Sequence, residues 1–360
     1  MHVLFFVGGV SWTASARIFT AAAHGLAARG HDVSIACPPG PIIERIDSDA
    51  VDIVRIDPDA NAALGTFDFR RVARERSLDV AFVHTAREQL MVGSGLRFAN
   101  GGRVVRRLGI FESLDDELGF TARIAPARLV VSTNAEAAMM IDAGSPSPFV
   151  APLGVDTAAA ESVAPLERRD LHLRDDVIVI AVPYALSGRP RLLNVMRSLS
   201  LLGPRHPRLR AVVYGERAAD DDLRMQAAAL GVAPLMQFID GAKVDPVALL
   251  KMSDFAWIAA DHDVAALGCL DAMSAARTIV AEASPAIEYY VADGINGTIL
   301  PRGDSSAVAA AVANVIGRTE TRVAQGKAGQ ARAQRELKLA NMIDGFERAA
   351  LGTETLATAR

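Results

Sequence analysis

Twice along this chain, short apolar runs rich in β-branched residues alternate with helical patterns, and this double alternation is what most limits how it can fold. Each series builds βαβ units, whose parallel strands have to be covered by helices on both faces. The first series places strands at 3–7, 32–36, 51–56, 79–83, 104–108, 129–132 and 149–151. The second places them at 177–182, 210–214, 236–239, 255–259, 278–281 and 298–300, with helices such as 220–230 and 306–315 between. An amphipathic helix over 14–28 closes at Arg29-Gly30-His31, where Gly30 suits the left-handed position past a helix end. No strand pattern crosses 156–176, and the interdomain linker is expected there.

With 360 residues the chain exceeds what one core usually serves. It matches two Rossmann-sized units of roughly 150–180 residues each. The expected division is 1–160 and 161–337, both α/β and doubly wound, with a terminal helix at about 338–357 that can pack back on the first domain. In such a tandem the strand C-terminal ends, where ligands bind, can face each other across a central cleft. The formal net charge is −4 and the basic residues are scattered, which leaves no continuous positive footprint for nucleic acid. Cys37 and Cys269 form neither a disulfide framework nor a CxxC pair, as suits a reducing cytoplasm. The N-terminal apolar run lacks a basic n-region and breaks at Gly8-Gly9, so it reads as a buried strand and not as a leader. No window reaches the ~20 apolar residues of a membrane span, so any membrane contact is expected to be peripheral.

Several motifs carry chemistry. Gly8-Gly9 sits between the first strand and its helix, where backbone N–H groups and a helix N-terminus can approach a phosphate. A tight turn in any α/β protein would look the same, and no acidic residue closes the second strand as a dinucleotide fingerprint requires. In the second half, Asp263 and Asp271 stand eight residues apart in DVAALGCLDAM, followed by an apolar strand, Glu288, and the turn Asp293-Gly294-Ile295-Asn296-Gly297. In that turn Gly294 and Asn296-Gly297 are expected to supply positive φ.

In this order of motifs the chain resembles the retaining glycosyltransferases of the GT-B fold, the family 4 group. Their hallmark is a Glu-x7-Glu pair, here Asp-x7-Asp, followed by Pro-Glu and a D-G-x-N-G turn. GGVSWTASARIFTAAAHGLAARGHDV is similar to that family's first-helix phrase, Pro152-Leu153-Gly154-Val155-Asp156 to its interdomain phrase, and Val213-Tyr214-Gly215 and Phe238-Ile239-Asp240-Gly241 to two of its strand ends. The resemblance implies an acceptor domain followed by a donor domain. Asp271 would accept hydrogen bonds from the donor ribose, and Asp263 would approach the sugar or pyrophosphate. Each carboxylate is one methylene shorter than the family's Glu. Where the family has an Arg-x4-Lys pair against the pyrophosphate, Tyr184 stands for the Arg and Arg189 for the Lys, with Arg191 in partial support. Ala283-Ser284-Pro285-Ala286 replaces a Gly-Gly loop, leaving the N–H groups of Ser284 and Ala286 for the phosphates, since Pro285 has none. His84 is the histidine in reach of the acceptor. The family's usual His after the fifth strand is replaced by Val105-Arg106-Arg107-Leu108-Gly109, whose arginines, with Arg87, suit either solvated surface or an anionic acceptor.

The expected function is therefore transfer of a sugar, with retention, from a nucleotide-sugar donor to an unidentified glycan, lipid or small-molecule acceptor, as in cell-envelope or polysaccharide synthesis. No metal or cofactor is called for, although Asp261-His262-Asp263 invites inspection for metal binding. The departures at Tyr184, Gly109 and the two aspartates motivate an alternative, a degenerate GT-B protein that binds nucleotide sugar or a partner enzyme without turnover. A GT-B epimerase is a weaker reading, because its acid–base residues are not identifiable.

Overall fold

The computed structural model describes all residues except 41, 47–48, 57–61, 100, 112–116, 186–187, 217, 219 and 354–360, and only the backbone of 62–64 and 117–120. Two compact units emerge: Met1–Leu153 with Leu339–Arg360, and Gly154–Lys338. Among the described residues no helix is long and apolar enough to cross a membrane.

The first unit begins β1 (His2–Phe6), α1 (Ala14–Ala27), β2 (Asp32–Cys37), β3 (Asp52–Arg55), α2 (Ala62–Arg76), β4 (Val80–Val83) and α3 (Ala86–Ala99). It continues through β5 (Arg103–Arg107), α4 (Glu117–Ile124), β6 (Arg128–Val131), α5 (Asn134–Asp142) and β7 (Phe149–Val150). Its seven strands are parallel in the order β3-β2-β1-β4-β5-β6-β7. All of β1 after His2 is buried, as a strand covered on both faces must be. Gly30 has φ +86°, the left-handed conformation anticipated for it.

In the second unit α6 (Thr157–Ser162) and a 3-10 turn at Arg168–Leu171 occupy the stretch without strand pattern. Then come β8 (Ile178–Tyr184), α7 (Arg189–Leu202), β9 (Leu209–Gly215), α8 (Asp221–Ala229), β10 (Met236–Asp240), α9 (Pro246–Met252) and β11 (Phe255–Ile258). The unit closes with α10 (His262–Ser274), β12 (Ile279–Glu282), α11 (Pro285–Tyr290), β13 (Gly297–Leu300), α12 (Ser305–Gly317) and α13 (Thr319–Glu336). Its parallel order is β10-β9-β8-β11-β12-β13. β8 runs two residues past its expected end, through Pro183. The missing N–H is tolerated because Pro183 lies beyond Ala181, the last β8 residue to pair with β11, and keeps only its register with Tyr214 of β9.

The chain returns to the first unit as α14 (Leu339–Leu351); the expected continuation at 354–357 lies outside the described residues. Phe346 enters a fully buried aromatic cluster, 5.3 Å from Phe82 and 6.0 Å from Phe5, whose rings stack on each other at 4.7 Å. Gly345 permits this approach, since a Cβ there would stand 2.4 Å from the Ala151 Cα. At the edge of the helix, Glu347 accepts from His31 Nε2 at 2.9 Å and pairs with Arg29, which also holds Asp344. These bonds hold the Glu347 carboxyl below the usual range, His31 contributing most.

Both sheets change winding direction between their first and fourth strands, at β1/β4 and β8/β11, and doubly wound proteins bind ligands beyond the strand C-termini at such points. The turn 293–297 corrects one expectation. Only Gly294 takes positive φ (+75°), while Asn296 bridges Ala292 N–H and Tyr290 C=O with its side-chain amide. Gly297 is required for space, as a Cβ would meet the Ile279 carbonyl oxygen at 2.6 Å.

Candidate functional site

The second unit gathers four of its sequence-derived site residues where β8, β11 and β12 end. Arg189 is the first residue of α7, just after β8, with its side chain 35% exposed; it faces Asp222 at 3.7 Å and donates to the Gln226 side-chain oxygen. Asp263 lies in the first turn of α10, just after β11. His262 before it takes φ +49°, a left-handed conformation that non-glycine residues adopt at a cost of about 1 kcal/mol or more and that recurs at functional sites. Ser284 caps α11 after β12 through its side chain, which accepts from Ile287 N–H at 3.3 Å. The Ala286 N–H belongs to the first turn, whose amides have no partner within a helix.

This geometry bears on three of the expected residues. Tyr184 is 3% exposed and packed in the apolar core with Val182, Val213 and Trp257, so the residue standing for the family's Arg is turned inward rather than toward a pyrophosphate. Arg191 is held by Asp261 in a two-pronged pair, Nε to Oδ2 at 2.7 Å and Nη2 to Oδ1 at 2.6 Å, which ties the start of α7 to the start of α10. Asp271 lies two turns deeper in α10 and is 3% exposed, so its carboxylate sits well inside the unit. Among the described residues no group of three or more His, Cys, Asp or Glu side chains is arranged to hold a metal, and Asp261 is engaged by Arg191.

A cavity of about 420 Å³ opens at the β1/β4 switch point of the first unit, lined by Gly8, Gly9, Ser15, His84, Arg87 and Glu88 among others. The cavity brings together His84 and the paired glycines, as their strand ends require. Glu88 alters what they can do. Its Oε1 accepts from Gly8 N–H at 3.2 Å, and its Oε2 from His84 N–H at 2.8 Å and Thr85 N–H at 3.0 Å. The Gly8 N–H expected to meet a phosphate is thus already taken by a side chain of the protein. The His84 ring points its Nδ1 at the Arg107 carbonyl, 3.1 Å away. A carbonyl only accepts, so Nδ1 carries a proton and donates to it. Arg107 is fully buried and donates to Ser132 Oγ, and Arg106 donates to the His84 carbonyl at 3.2 Å. Neither is a solvated charge waiting for an anion, and Arg87 remains exposed on the cavity wall.

Residues 164–332 match the family model described as Glycosyl transferases group 1. The match lies within the second unit. The matched stretch contains Arg189, Asp263, Asp271, Ser284 and Ala286. The EpsD protein of Bacillus subtilis is 25% identical over 187 residues, 51% of this chain and 49% of that protein. D-inositol 3-phosphate glycosyltransferase of Geodermatophilus obscurus is 28% identical over 210 residues, 54% of this chain and 46% of that enzyme. The chain spans about half the length of these curated relatives. HepE of Anabaena, solved in complex with UDP-glucose, superposes with a TM-score of 0.79 at 15% identity, over 98% of this chain and 100% of that one. Two Rossmann-like units and the superposition over almost the whole chain make this the GT-B fold.

In the first unit, Glu88 and Glu136 were missed in the sequence. Each is the acid of a Thr-x-x-Glu capping box, Thr85–Glu88 and Thr133–Glu136, a pattern legible without coordinates. What sequence does not show is that the second carboxylate oxygen reaches past the neighbouring strand, to Gly8 in one case and to Phe111 N–H, at 2.7 Å, in the other. Burial pushes the Glu136 carboxyl up, against the pull of its hydrogen bonds and of Arg107. Burial likewise raises the thiols of Cys37, to about 11, and of Cys269, which argues against either as a nucleophile.

Proposed function

We propose that the protein is a retaining, metal-independent glycosyltransferase that moves a glycosyl group from a nucleotide sugar to a hydroxyl of a glycan, lipid or small molecule. The observation that carries this reading is the match of residues 164–332 to the group 1 family, with Arg189, Asp263 and the Ala286 amide at adjacent strand ends around a switch point. In this reading the anomeric C–O bond to the diphosphate breaks, the acceptor oxygen bonds to that carbon, and the acceptor proton leaves with the diphosphate. Arg189 and the Ala286 amide of α11 offset the charge that develops on the diphosphate oxygens. Asp271 holds the ribose hydroxyls, Asp263 faces the sugar, and His84, in the first unit, faces the acceptor. The complex of HepE with UDP-glucose supports a uridine nucleotide as the first donor to try.

A second reading, nucleotide-sugar binding without turnover, is favoured by the inward turn of Tyr184 and the capture of Arg191, which leave Arg189 to act without either expected helper. Incubation with UDP-, GDP-, ADP- and CDP-sugars and a mixed acceptor pool, followed by NMR of the anomeric proton, separates the two. The transferase reading expects release of nucleoside diphosphate and a product with the donor's anomeric configuration. Binding with no diphosphate released under any acceptor condition favours the second.

A further inference from the structure

We infer that Glu88 is a specificity-determining residue: it closes the anion position of the first unit's crevice and makes that crevice a receptor for the hydroxyls of an uncharged polyol. Calling this ligand the acceptor rests on the transferase reading; the selectivity itself does not.

Three backbone N–H groups converge on the Glu88 carboxylate, one from the glycine turn after β1 and two from the turn after β4. That arrangement is what a helix N-terminus and a glycine turn offer a bound phosphate, and here a side chain of α3 fills it. A Cβ on Gly8 would stand 2.5 Å from Glu88 Oε1, so the glycine serves the close seating of this carboxylate. The two oxygens are not equally used. Oε2 accepts two N–H groups and Oε1 one. A carboxylate oxygen has about two acceptor directions, so Oε1 keeps one for a ligand.

Other groups of the lining add acceptors and apolar wall. With Nδ1 donating to the Arg107 carbonyl, the remaining ring nitrogen of His84 is Nε2, an acceptor whenever it carries no proton. Thr13 Oγ1 is used by Ala16 N–H and Ser15 Oγ. Phe6, Phe19 and Met91 supply apolar wall, as a sugar ring's C–H face requires. A lining rich in acceptors selects ligands rich in donors, which hydroxyls are and a phosphate dianion is not. Arg87 supplies positive charge on the wall, so attraction there and repulsion at Glu88 compete for any anionic ligand. Glu136 provides an internal comparison. It uses the same box and reaches the same way, but it is 6% exposed and does not line the cavity.

The test uses the full chain, isotope-labelled, with the Gly9 and Thr85 amide resonances followed during titration with glucose, glucose 6-phosphate and inorganic phosphate. In the wild type, glucose is expected to shift these amides with an affinity at least about tenfold above that of glucose 6-phosphate, and inorganic phosphate to give no saturable shift. Glu88→Gln, which keeps shape and removes charge, should bring the ratio toward one by tightening glucose 6-phosphate, while Glu136→Gln leaves it unchanged. Glucose 6-phosphate or phosphate binding the wild type as tightly as glucose, glucose producing no shift, or an unaltered ratio in Glu88→Gln would each overturn the assignment. Nucleotide-sugar binding by the second unit, followed by thermal shift on the same samples, tests the transferase reading separately: its absence leaves the Glu88 result standing as selectivity of a binding crevice.

Discussion

Arg189 and Arg191 lie two residues apart and serve different ends. Arg191 is 17% exposed and spends both prongs on Asp261, whereas Arg189 is twice as exposed and meets Asp222, at 3.7 Å, and Gln226 among the described residues. A charge-assisted hydrogen bond contributes roughly 1.5–3 kcal/mol, so Arg189→Ala should weaken nucleoside diphosphate binding by about 10- to 150-fold with little change in melting temperature. Calorimetric titration beside a melting curve measures both. For Arg191→Ala the order reverses: the melting temperature drops because the tie between α7 and α10 is lost, and affinity falls less than in Arg189→Ala. The family resemblance named Arg189, and it also named Tyr184, which the fold turns inward. The difference is not legible in the linear order, because it depends on the last β8 residue pointing into the core with Trp257 and Val213.

At the level of elements, most of the framework was legible, since alternating apolar runs and glycine stops reflect forces that act within a few residues of the chain. Strand ends moved by a residue or two where the ladder, and not the apolar run, sets the limit, as at Pro183. Glu88 and Glu136 show where local reading stops: the capping box is local, but the reach to Gly8 or Phe111 depends on strand order. α14 makes the same point, because its partners Phe5, Phe19 and Phe82 lie more than 250 residues earlier. Phe346→Ala should cost about 3–5 kcal/mol of unfolding free energy. Denaturant titration followed by far-UV circular dichroism measures it. The Glu347 contacts add a pH signature to this helix. A carboxyl held below its usual 4.5 contributes stability that is complete above that value and is lost as pH falls through its lowered folded-state value. Melting curves of the wild type should therefore fall toward those of Glu347→Gln as pH drops below 4.5, and stand apart from them above it. Parallel curves across that range would show that the Glu347 contacts carry no stability.

Across the whole molecule, each unit has its own core and its own switch point, with the group 1 match confined to the second. A donor bound by the second unit should raise stability by mass action, about 2.7 kcal/mol at a hundred times its dissociation constant. The measurement that tests the central claim most directly is equilibrium binding of UDP-, GDP-, ADP- and CDP-sugars to the wild type and to Arg189→Ala. One nucleotide series should bind the wild type and lose at least about tenfold in affinity in the variant, as removal of a charge-assisted contact requires. If no series binds, or if the one that binds is indifferent to Arg189, the nucleotide sugar is not held at the β8/β11 edge and the account of this protein as a glycosyltransferase is contradicted.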